Sequence, residues 1–238
     1  MSLTGSSSVL VPVDISGDEQ PAQPLIDLCR SVDIVLLGYY PVPDQVAPAQ
    51  LKEDHESDAT AALADVAEKF RDSGIDVTDV LVFTHDRIET MDRVANEHGC
   101  DAVLTVGTGE RIERVLVPVR GGTNLERIVL LLADVMRMSD VSVTFLHSAV
   151  DDEPDNGELL VRGAMDRLSE AGVDRERIDW QLADEDSPFD EIIELAQEYG
   201  LLVLGETKPS LRERIFGTVP SRVVDEVDKP AFIVRDIG

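Results

Sequence analysis

A run of five residues occurs twice in this chain, as Val9-Leu-Val-Pro-Val13 and as Val115-Leu-Val-Pro-Val119. No other feature narrows the fold as much. Each run is short, apolar and β-branched, as a strand buried on both faces of a parallel sheet must be. A repeated unit of this size is a duplicated fold, so the segments after the two runs should match. A turn and a helical stretch come next in both copies, Pro24–Arg30 and Leu125–Met138. Second strands at Asp33–Leu37 and Asp140–Leu146 precede long acidic amphipathic helices, Glu53–Ser73 and Gly157–Ala171. Gly74 and Gly172 stand where a left-handed C-terminal cap is expected. Third strands, Val77–Phe83 and Ile178–Leu182, lead to helices ending alike, in Ala95-Asn-Glu-His-Gly99 and Ala196-Gln-Glu-Tyr-Gly200. Fourth strands at Asp101–Val106 and Leu201–Leu204 close the shared template.

Strands alternating with helices of this length require βαβ crossovers, and right-handed crossovers place helices on both faces of the sheet. The pattern therefore predicts two tandem Rossmann-like α/β domains with parallel sheets, residues 8–110 and 114–238. The copies differ at their ends. The second continues through a loop, Gly205–Gly217, a helix, Thr218–Asp228, and a fifth strand, Ala231–Val234. In the first, Val106–Glu113 runs straight into the next repeat, so that domain lacks the last helix and the fifth strand.

Charge limits the function classes. The chain carries 48 acidic and 21 basic side chains, a net charge of −27, spread over both copies. Only Lys52, Lys69, Lys208 and Lys229 are lysines. An acidic surface on a folded, lysine-poor chain resembles proteins of halophilic archaea. At molar salt the Debye length falls to about 3 Å, so self-repulsion is screened while the carboxylates stay hydrated. The same charge argues against nucleic acid or an anionic membrane as partner, since both need a basic face. No apolar run approaches the ~18 residues of a membrane span. The opening Met1–Ser8 lacks the basic and apolar regions of a signal peptide and reads as a leader. A cytoplasmic location is the resulting expectation. Cys29 and Cys100 form no metal or disulfide spacing and are expected to be buried thiols.

Taken in order, Val9-Leu-Val-Pro-Val-Asp14, Leu202-Val-Leu-Gly-Glu-Thr207, Gly217-Thr218 and Lys229-Pro-Ala-Phe-Ile-Val-Arg235 resemble the universal stress protein family in tandem form. The resemblance implies five-stranded sheets of order 3-2-1-4-5. It also implies an ATP site: an aspartate ending the first strand, and a loop Gly-x2-Gly-x9-Gly-Ser/Thr after the fourth. Glycines there let backbone amides approach phosphate, and the next helix N-terminus favours the anion. On that pattern Gly205 fits the first glycine, Lys208 replaces the second, and eight residues rather than nine precede Gly217 and Thr218. Arg120 stands where the second domain's aspartate belongs, and the first domain keeps Asp14 without the loop. The resemblance thus implies a degenerate site at Gly205, Lys208, Arg212, Gly217, Thr218 and Arg120, binding ATP or AMP weakly or not at all. The expected function is a non-enzymatic stress-response or regulatory module. The alternative is an ATP-binding family member with slow hydrolysis, its phosphates held by Lys208, Arg212 and Arg214. The stretch Gly205–Gly217 also resembles stress-protein domains attached to haloarchaeal amino-acid transporters, which implies a membrane transporter as partner. In the family, fifth strands pair antiparallel across dimers. Ala231–Val234, read as a sheet edge, is therefore expected at a domain–domain or chain–chain interface, in a homo-oligomer or an internal pseudo-dimer.

The remaining candidates read as structure. Gly121-Gly-Thr-Asn124 is a βα turn without the Lys-Ser/Thr of a P-loop. His85-Asp86 ends a third strand, where ligands gather, but has no nucleophile or second histidine beside it. His55, within Glu53-Asp54-His55-Glu56, reads as a solvated helix face, and Trp180 as core.

Overall fold

The computed structural model describes residues 6–17, 20–107, 111–119, 124–147, 154–183, 188–206 and 226–236. Its strands are β1 (Ser8–Asp14), β2 (Asp33–Pro41), β3 (Val77–Thr84), β4 (Ala102–Thr105), β5 (Arg114–Val119), β6 (Ser142–His147), β7 (Ile178–Leu182), β8 (Leu201–Gly205) and β9 (Ala231–Val234). The helices are α1 (Gln23–Leu28), α2 (Pro48–Asp72), α3 (Arg87–Glu97), α4 (Leu125–Arg137), α5 (Pro154–Glu170) and α6 (Pro188–Ala196). Gly74 and Gly172 take φ of 80° and 96°, as caps in the left-handed region. Helix α2 starts earlier than its acidic pattern suggests, because Pro48 is pre-set for the first helical turn.

The strands form one nine-stranded sheet, in the order β3-β2-β1-β4-β9-β8-β5-β6-β7, where the repeat predicts two tandem domains, each with a parallel sheet. Every pairing is parallel but one: β9 runs antiparallel to β4, with Thr105 opposite Ala231 and Ala102 opposite Val234. On its other side β9 runs parallel to β8. The strand read as an edge is thus interior, and it fills the position the first half leaves empty. Its four side chains are buried, Phe232 completely. Each large one contributes about 1.5–3 kcal/mol to the fold.

Packing shows the same sharing. One apolar cluster runs across the whole sheet on one face, taking Val9 and Phe70 from the first half, Val115 and Phe145 from the second, and Phe232 and Val234 from β9. The opposite face carries two separate clusters. Ile233 joins the one under α3 and Ala231 the one beside α6. Polar contacts tie the halves as well. The buried Asp134 on α4 accepts from the Ser7 amide and hydroxyl, both at 2.8 Å. Arg235, just after β9, reaches the first half: it pairs with Asp92 at 3.1 Å and donates to the Cys100 carbonyl at 3.2 Å and to Asn96 at 2.9 Å.

The prolines of the repeat have a structural effect. Ile15 donates to Tyr39 and Asp33 to Ser7, so odd residues of β1 face β2 and the nitrogen of Pro12 faces β4. Proline cannot donate there, and pairing of β1 with β4 reaches only Leu10. Pro118 does the same to β5, whose pairing with β8 stops at Leu116. Each half therefore opens a crevice between its first and fourth strands at their carboxyl ends, where such folds bind ligands.

Cys29 and Cys100 are both buried thiols. Burial pushes Cys29 up to about 12. Burial also raises Cys100, opposed by a hydrogen bond from Ser8 and by the charge of Arg235. No helix among the described residues is long and apolar enough to cross a membrane.

Candidate functional site

At the first crevice, Asp14 ends β1. Its Oδ1 accepts from the Ser16 amide at 2.9 Å and hydroxyl at 2.6 Å. With Tyr39, Pro41, Thr84, His85 and Arg87 it lines a cavity of ≈ 270 Å³. Three groups around this cavity serve the fold. Asp86 caps α3, accepting from the amides of Ile88 and Glu89 at 2.9 and 3.0 Å. The Thr84 hydroxyl donates to the Asp86 carbonyl at 3.0 Å and accepts from Thr90 at 2.7 Å. His85 Nδ1 lies 3.1 Å from the Val42 carbonyl, which can only accept, so that nitrogen carries the proton. His85 and Arg87 are exposed.

The chain beyond β4 is closed off. A Cβ on Gly107 would lie 2.5 Å from the carbonyl carbon of Lys229 and 2.6 Å from the nitrogen of Pro230. The segment entering β9 thus lies against the point where a phosphate loop would leave β4.

At the second crevice Gly205 ends β8. A Cβ there would lie 3.3 Å from Ile128 Cδ1 and 3.8 Å from Asn124 Cβ, at the start of α4. Asn124 has φ 61°, which asparagine tolerates, and its Nδ2 donates to the Glu206 carbonyl at 2.9 Å. Glu206 is only 3% exposed, and its Oε2 accepts from the Asp236 amide at 2.8 Å. Of the residues implied for a nucleotide site, Gly205 is thus placed beside α4. Arg120, Lys208, Arg212, Gly217 and Thr218 lie outside the described residues, as do Arg214, Gly121–Thr123 and nearly all of the Thr218–Asp228 helix.

Several features were not read from the sequence. Glu206 gave no signal, standing after a strand where a loop carboxylate is ordinary. Asp92 did: it falls among Met91, Val94 and Ala95 on the buried side of α3, where an acid needs a partner. His55 is half-buried, not a solvated face. Its ring stacks on Tyr40 at 5.4 Å, and Tyr40 stacks on Phe83 at 5.0 Å. His147, ending β6, is fully buried. Among the described residues neither of its ring nitrogens has a partner. Gly157 makes room for it, since a Cβ there would lie 1.7 Å from the ring.

A three-layered α/β sheet with a crevice beside each first strand defines the Rossmann-like class. Within that class, the family model "Universal stress protein family" matches residues 111–235, and the chain belongs to that family. A universal stress protein from Archaeoglobus fulgidus DSM 4304 has the same fold over 97% of both chains, at 13% identity and TM-score 0.68. A putative universal stress protein from Pseudomonas aeruginosa UCBPP-PA14 covers 96% of this chain and 93% of its own, at 15% identity and TM-score 0.57. A shorter one from Archaeoglobus fulgidus, in complex with dAMP, covers 52% of this chain and 98% of its own, at 19% identity and TM-score 0.42. No curated protein matches the chain.

Proposed function

We propose that this chain is a non-enzymatic regulatory module of the stress response, working in the cytoplasm, in which the family's nucleotide site is degenerate. One observation carries the reading: the backbone of Lys229 and Pro230 lies against Gly107. No phosphate fits between chains that leave no room for a methyl group. The first half therefore keeps Asp14 but has no loop to hold a triphosphate. In the second half, the buried carboxylate of Glu206 stands next to Gly205, where the phosphate loop begins. A second anion there meets the Glu206 carboxylate in a poorly solvated place. The groups around the first cavity support the same reading, since Thr84 and Asp86 hold α3 and His85 holds the Val42 carbonyl. Control of a membrane transporter is the finer form of this proposal. It rests on the resemblance of Gly205–Gly217 alone.

The second reading, an ATP-binding protein with slow hydrolysis, draws on the cavity at Asp14 and on Arg87, a cation at its rim in a strongly acidic chain. Calorimetric titration with ATP and with AMP, each with magnesium and at molar KCl, separates the two. The regulatory reading expects no heat of binding at micromolar ligand. Micromolar affinity overturns it.

A further inference from the structure

The sheet has two edges, β3 and β7, and the chain treats them differently. Ala183 donates to His147, so odd residues of β7 face β6 and even ones face outward. Two of those outward groups are capped by the chain's own side chains. The Ile178 carbonyl accepts from Arg175 Nη1 at 3.0 Å, and the Trp180 amide donates to Asp179 Oδ1 at 2.8 Å. Such capping keeps an edge from pairing with another chain.

At β3 the phase is also set. Val42 donates to the Thr84 carbonyl, so even residues face β2, and the amides and carbonyls of Val77, Asp79, Leu81 and Phe83 face outward. Among the described residues nothing caps them. The strand is eight residues long, against five for β7, and Val80 to Phe83 are all partly exposed. It carries one charge, Asp79, and Arg71 holds that carboxylate at 2.8 Å.

We infer that the β3 edge is an interaction surface for a second copy of this chain, paired antiparallel with its own β3 about a two-fold axis. Charge selects this occupant. A strand whose only carboxylate is already paired offers nothing to a basic or an acidic partner. Its run of Val, Leu, Val and Phe complements itself. Registers centred on Val80 or on Leu81 place Asp79 opposite Leu81 or Phe83 of the second copy, never opposite its own equivalent. Topology limits the size of the assembly. An isologous contact through this edge uses it up in both copies and closes at the dimer. Salt is part of the device. Two chains of net charge −27 repel at low ionic strength, and molar salt removes that barrier.

Light scattering of the intact chain in molar KCl is expected to give the mass of two chains, falling to one as salt is lowered. Two variants test the edge without touching the β2 ladder. Asp79→Pro removes an outward amide, which edge strands tolerate, together with the exposed ion pair to Arg71, which contributes little to stability. Val80→Lys sets two ammonium groups near the two-fold axis. Both are expected to be monomeric at every salt concentration, with an unchanged circular dichroism spectrum. In the wild-type dimer the amides of Asp79, Leu81 and Phe83 should exchange at least about tenfold more slowly than in the Val80→Lys monomer. A single-chain mass for the wild type in molar KCl, or a dimer that persists unweakened in Asp79→Pro, overturns the assignment.

Discussion

The two halves begin with the same five residues and end with unequal parts. The second half owns its fifth strand, and the first borrows that strand from the opposite direction. Between β5 and β9, parallel pairing holds the second half together. The first half is completed by β9 in antiparallel sense, by Arg235 on Asp92, and by the Asp134–Ser7 contact. Duplication thus kept what is buried on both faces, the strands and the caps at Gly74 and Gly172. The halves also solve one packing problem in opposite ways. Where β2 carries Gly38 and α2 brings Leu63 onto it, β6 carries His147 and α5 brings Gly157.

The sharpest way to break the comparison is to remove the shared strand. Deleting Lys229–Gly238 should abolish cooperative unfolding in molar KCl, followed by circular dichroism, and expose dye-binding apolar surface. A first half that still melts cooperatively would mean it does not depend on β9. Next in size is Arg235→Ala. It leaves Asp92, 5% exposed, without its cation, and losing one partner of a buried pair costs about 3–5 kcal/mol. Denaturant midpoints at fixed salt would show this. The double variant Arg235→Met with Asp92→Leu should regain most of the loss, because two apolar side chains leave no charge unpaired. Smallest is the exchange of glycines. Gly157→Ala drives a methyl into the His147 ring and should cost about 1–3 kcal/mol, the range of overpacked cores. Adding His147→Ala should relieve that overpacking. Gly38→Ala meets the ends of two aliphatic side chains, Leu63 Cδ1 at 2.9 Å and Ile15 Cγ2 at 3.2 Å, and should cost less. Equal losses at both glycines would erase the distinction between the halves.

The elements of this fold were largely legible. Short apolar runs bounded by turns named eight strands of the two templates and β9 besides, since burial on both faces leaves little choice of residue. The position of β9 was not legible. Ala-Phe-Ile-Val says strand, but which strands flank it depends on residues more than a hundred positions away, such as Thr105. Nor could the repeated prolines be read as openers of a crevice until the phase of β1 was known. The candidate site was less legible than the fold. Gly205 was found from its motif, whereas Glu206, Asn124 and the covered Gly107 act through contacts that no local pattern announces. His55 was misread because a charged neighbourhood hid its aromatic partners, Tyr40 and Phe83.

The single antiparallel pairing of β4 with β9 has a consequence for geometry. Because strand direction reverses there, the crevice beside Asp14 and the crevice beside Gly205 open at opposite poles of the molecule. A partner seated at one pole cannot touch a ligand at the other. One direct route between them is β9 itself, which touches Gly107 through Lys229 at one end and Glu206 through Asp236 at the other. The shared strand is thus a mechanical link between the two poles.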